Sequence, residues 1–115
     1  MILSVKTLVG EVCMTREDGQ KLHDAFRPSL DAGDNVTLDF AGTRIFTTAF
    51  FNAAVGQLLA AYSKEQLSKK MRFENVPESS VSPLKKSIET ADRYYRDPTY
   101  RAALDKVLID HAEFV

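Results

Sequence analysis

Apolar residues recur with period two in some stretches and at helical spacing in others, and the order of these stretches predicts the architecture. Residues 2–9 are rich in Ile, Leu and Val and read as a strand. Gly10 interrupts it, and Val12 to Met14 is a short continuation or a second strand. Thr15 is placed to cap a helix whose first turn carries Glu17 and Asp18, acids that suit the positive end of the helix dipole. Leu22, Phe26 and Leu30 share one face, Pro28 should bend or end the helix, and residues 31–35 form a turn.

Residues 36–40 alternate, with Val36, Leu38 and Phe40 on one face and Thr37 and Asp39 on the other. A loop follows at 41–44, Ile45 and Phe46 lead on, and Thr47 or Thr48 caps a helix over 49–62. That helix is apolar on nearly every side and should be buried. Residues 63–70 make a polar, partly helical return to a strand at 71–76. Strand, helix, strand is a βαβ unit, so 36–40 and 71–76 should pair in parallel through a right-handed crossover. Two helices then close the chain. Ser82 and Pro83 start the first, whose stripe is Leu84, Ile88, Ala91 and Tyr95; Asp97 and Pro98 start the second, with Leu104, Val107, Leu108 and His111. The expected fold is α/β: a small, mainly parallel sheet of three to four strands around a βαβ core, packed by helices, in one domain over residues 1–115.

Composition narrows the function classes. The 115 residues hold 15 Lys and Arg against 16 Asp and Glu, a formal charge of −1, which argues against nucleic acid or an anionic membrane as partner. The basic cluster Lys64, Lys69, Lys70 and Arg72 has no interleaved aromatic and reads as a solvated junction. Nothing resembles a targeting or membrane-spanning segment, so the expected location is the cytoplasm. One cysteine, Cys13, excludes an internal disulfide and a multi-cysteine zinc site, and its apolar neighbours suggest a buried, inert thiol. His23 and His111 lie far apart with no ligand at metal-binding spacing. There is no phosphate-binding glycine loop and no nucleophile elbow. No catalytic residue, metal or cofactor is expected.

The most informative stretch is 38–52. It ends a strand, turns, and opens a buried helix with hydroxyl residues. In a parallel α/β sheet this is the edge where ligands and partners dock. Asp39, Gly42, Arg44, Thr47, Thr48 and Asn52 are the candidate binding residues. Thr47 and Thr48 serve as caps, as anion ligands or as phosphorylation sites. Asp39 and Arg44 either serve a ligand or pair with each other.

The run resembles the STAS domain of bacterial anti-sigma factor antagonists, in which a strand-end Asp precedes a loop and an Asp-Ser-Ser-Gly-Leu helix opening. Asp39 matches the strand-end acid, and Thr47-Thr48-Ala49-Phe50-Phe51 matches the opening. The closer resemblance is to the STAS-like domain family of unknown function, through Val36-x-Leu38-Asp39-Phe40, the stretch from Ala49 to Leu58, and Phe73-Glu74-Asn75-Val76. The resemblance implies a non-enzymatic, regulatory protein-interaction module that binds through 42–52. The implied partner is a histidine-kinase-like ATPase or an anti-sigma-type regulator. Ala49 occupies the position of the phosphorylated Ser and has no hydroxyl, so a phospho-switch at that atom is excluded by chemistry. The alternative is a small anion- or nucleotide-binding domain, or a phospho-switch, at Thr47 and Thr48. Self-association into a homo-oligomer stays open.

Overall fold

A computed structural model describes residues 1–97 together with Thr99 and Ala102. Three parallel strands form the main sheet in the order β1 (Ile2–Ser4), β3 (Val36–Asp39), β5 (Met71–Glu74). A separate parallel ribbon pairs β2 (Val12–Cys13) with β4 (Ile45–Phe46). The helices are α1 (Val5–Leu8), α2 (Arg16–Asp31), α3 (Thr48–Ala54), α4 (Lys64–Lys70) and α5 (Glu78–Arg96), with a 3-10 helix at Gly56–Ala60. The parallel α/β architecture follows the hydrophobic pattern, and β3 pairs in parallel with β5 as the βαβ reading requires. The second C-terminal helix, expected after Pro98, lies outside the described residues.

Four expected boundaries change, each for a local reason. The first strand stops at Ser4, because its side chain accepts the Thr7 N–H and starts the single turn α1. α2 runs through Pro28 to Asp31. Pro28 lies on the exposed side, where the freed carbonyl of Asp24 reaches water, while Leu30 is fully buried and holds the last turn. The helix expected over 49–62 begins at Thr48 and breaks at Val55, a β-branched residue followed by Gly56, the weakest pair of helix formers in the stretch. The chain continues as a 3-10 turn that keeps Leu58 and Leu59 buried. α5 starts at Glu78, one turn before Pro83, with the Ser80 N–H bonded to the Pro77 carbonyl.

The core joins the sheet to α2, α3, the 3-10 turn and α5. Its largest fully buried side chains include Phe26, Phe40, Phe50, Phe51, Leu22 and Leu30. Phe46 is the hinge pin between ribbon and core: its ring stacks on Phe51 at 5.1 Å and meets Phe40 edge-on at 5.3 Å. This cluster fixes where β4 ends and α3 begins. The interface of α2 with α3 is close enough to require Gly19, since a Cβ there would overlap the Phe50 carbonyl oxygen and Ala53 Cβ. None of the described helices is long and apolar enough to cross a membrane.

Candidate functional site

The carboxyl edge of the main sheet aligns Ser4, Asp39 and Glu74 in register. Asp39 Oδ1 accepts hydrogen bonds from the Asn75 side chain and from the Ala41 N–H, each at 2.9 Å. These bonds, the Asn75 one first, hold its carboxyl below the usual carboxylate range. Asn75 reaches Asp39 from a left-handed backbone (φ 55°), a conformation that Asn tolerates better than most residues. Asp39 therefore closes the turn after β3. It does not pair with Arg44. The Arg44 guanidinium instead meets Glu11 at 3.5 Å, and Lys6 meets the other Glu11 oxygen at 3.8 Å.

Gly42 sits in the turn with φ +83°, and a Cβ there would press on the Lys6 side chain. Thr43 is buried and its hydroxyl donates to the Phe40 carbonyl. These contacts anchor a loop whose two sides otherwise face water.

The two candidate threonines do different work. Thr47 is the cap of α3: its hydroxyl oxygen accepts the Phe50 N–H at 3.2 Å and donates its own proton to the Met14 carbonyl. The Thr47 N–H also donates to the Cys13 carbonyl at 3.1 Å. Thr48, the first residue of α3, is exposed, and its hydroxyl makes no hydrogen bond among the described residues. Asn52, one helical turn beyond Thr48 on α3, lines a groove formed with α2 and α5.

The ribbon supplies what the sequence pattern missed. Val12 pairs with Ile45, and Cys13 with Phe46. Cys13 and Phe46 turn to the core, whereas Val12, Met14 and Ile45 are 39%, 49% and 47% exposed. Three of the large exposed aliphatic side chains thus cluster beside Arg44 and Thr48. The alternation of Val12, Cys13 and Met14 is the one signal in the sequence that points to this face. Glu11, which bridges it to Lys6 and Arg44, carries none. Burial, with the Asp18 charge adding, pushes the Cys13 thiol up to about 11, so at neutral pH it is protonated and unreactive. Among the described residues no group of three His, Cys, Asp or Glu side chains is placed to hold a metal ion.

A family model described as a STAS-like domain of unknown function (DUF4325) matches residues 18–81, more than half of the chain. The match runs from α2 into the first turn of α5 and includes β3, the 39–48 loop and α3. Neither a curated protein nor a solved structure matches the chain. The chain belongs to the STAS-like domain family of unknown function.

Proposed function

We propose that this STAS-like domain is a non-enzymatic, regulatory protein-interaction module that docks its partner on the ribbon and the 42–48 loop. The observation that carries this reading is the exposed apolar face of Val12, Met14 and Ile45. Large exposed aliphatic side chains scattered singly mean little, but a cluster on one face marks a contact surface. Each is already about half buried, so covering the rest with a partner contributes about 0.7–1.5 kcal/mol apiece. Lys6, Glu11 and Arg44 border the patch and supply the polar rim that sets orientation. The partner class to test first is the one that the STAS resemblance implies, a histidine-kinase-like ATPase or an anti-sigma-type regulator.

Affinity purification from the native cells, with wild type beside Ile45→Asp, tests the reading. Ile45 is half exposed, so the variant should fold with a loss of only about 1 kcal/mol. A partner held by wild type and lost from Ile45→Asp supports the docking face. Equal recovery with both removes it.

A second reading concerns regulation. Thr48 is exposed, with a hydroxyl that has no hydrogen-bond partner among the described residues, whereas the Thr47 hydroxyl is committed to the cap. Phosphorylation at Thr48 would add about −2 charge beside the apolar patch and weaken docking there. Phosphopeptide mass spectrometry of the protein from its native cells decides it. A 45–62 peptide that is unmodified at high coverage across growth conditions excludes the switch.

A further inference from the structure

A groove of about 450 Å³ opens between α2, the junction of α3 with the 3-10 turn, and α5. Its volume is that of a small-molecule site. Its floor is kept low by Gly56 and Ala91: a Cβ on Gly56 would stand 3.5 Å from Ala91 Cβ and 3.6 Å from Asn52 Oδ1. Tyr94 and Tyr95 bring two ring faces, 5.0 Å apart and nearly perpendicular. Gln57 donates its amide protons to Gln20 Oε1 at 3.0 Å and to the Ala53 carbonyl. Its own Oε1 therefore stays available as an acceptor, next to the Asn52 amide, which has no partner among the described residues. Arg16 supplies a guanidinium with no carboxylate partner among the described residues.

Aromatic face, amide edge and unpaired guanidinium are three different recognition elements, and one ligand chemistry uses all of them. We propose that this groove binds a planar heteroaromatic ring bearing a phosphate, of the size of a nucleoside monophosphate. The ring lies against the tyrosines. Its hydrogen-bonding edge meets the Asn52 amide, which matches the paired donor and acceptor of an adenine edge, and the Gln57 Oε1, which accepts from the exocyclic amine. The phosphate meets Arg16, whose planar fork fits two phosphate oxygens. Its lining residues are not those of the apolar docking face, and either proposal stands without the other.

Amide-shift titrations of the full chain with adenosine 5′-monophosphate, adenosine and inorganic phosphate test this. The nucleotide should give saturable shifts at residues 16, 52, 56–57 and 90–95. Adenosine should bind the same residues about tenfold more weakly, as expected for losing a charge-assisted contact. Phosphate alone should shift none of them at the same concentration. Arg16→Gln should reduce nucleotide affinity to that of adenosine, leave adenosine binding unchanged and leave the melting temperature unchanged. No saturable shift up to millimolar nucleotide would overturn the proposal. So would shifts reproduced by phosphate alone, shifts confined to 42–48, or nucleotide binding indifferent to Arg16→Gln.

Discussion

Gly19→Ala sets two effects of known sign against each other. In an exposed helix interior, replacing Gly by Ala stabilises by about 1 kcal/mol, because Ala loses less backbone entropy. Gly19, however, faces α3. The new methyl would overlap the Phe50 carbonyl oxygen and stand 2.9 Å from Ala53 Cβ and 3.2 Å from the Ala54 nitrogen. Two of these neighbours are backbone and cannot rotate away, so α2 must move off α3. Overpacking costs about 1–3 kcal/mol, and against rigid backbone it falls in the upper part of that range, about 2–3 kcal/mol, so the net loss after the propensity gain is about 1–2 kcal/mol. For a domain of this size that is a fall of roughly 5–10 °C in melting temperature. Thermal and urea unfolding followed by circular dichroism measure it. An unchanged or higher melting temperature would refute the close approach of α2 and α3, and with it the placement of the α3 start and of the groove.

Thr47→Val removes both the cap and the bond to Met14 and should cost about 1–2 kcal/mol in urea unfolding, whereas Thr48→Val should stay within about 0.5 kcal/mol. Equal losses would mean that the two hydroxyls are not divided as described. Ser87 is 1% exposed, and its hydroxyl has no hydrogen-bond partner among the described residues. Ser87→Ala should therefore match or exceed wild type by about 1 kcal/mol, and a loss of that size would reveal a partner for the hydroxyl. His23 is buried, with Nδ1 3.2 Å from the Ala54 carbonyl and Arg27 beside Nε2. Burial above all holds its pKa below the ordinary 6.5. The unfolded chain takes up this proton first as pH falls, so the His23 contribution is complete above pH 6.5 and is lost as pH drops towards the lowered folded value. Urea unfolding between pH 5 and 8 should show that loss in wild type and a flatter profile in His23→Gln; parallel profiles would contradict it.

Elements set by local chemistry were legible in the sequence. Thr15 caps α2 through the Asp18 N–H, and Val36, Leu38 and Phe40 point into the core as their alternation requires. What escaped depends on contacts distant in sequence. A two-residue strand such as Ile45–Phe46 has no periodicity to read, and its existence rests on pairing with Val12–Cys13, more than thirty positions away. The break at Val55 and the extension of α2 past Pro28 follow from which neighbours are buried, not from propensity alone. At the candidate site, the sequence left open whether Asp39 and Arg44 pair with each other, and they do not. Asp39 binds Asn75 and Arg44 binds Glu11, choices made by the sheet register and the ribbon. The groove that Asn52 lines escaped because its walls come from α2, α3 and α5, which are distant in sequence.

The docking face is tested most directly by mapping the partner's footprint. Isotope-labelled protein is titrated with the histidine-kinase-like ATPase or regulator recovered with it, and amide shifts are recorded for wild type and Ile45→Asp. The account predicts shifts concentrated at residues 12–14 and 42–48 that disappear in Ile45→Asp while its amide spectrum stays that of a folded chain. Shifts confined to other surfaces, or undiminished binding by Ile45→Asp, would contradict it.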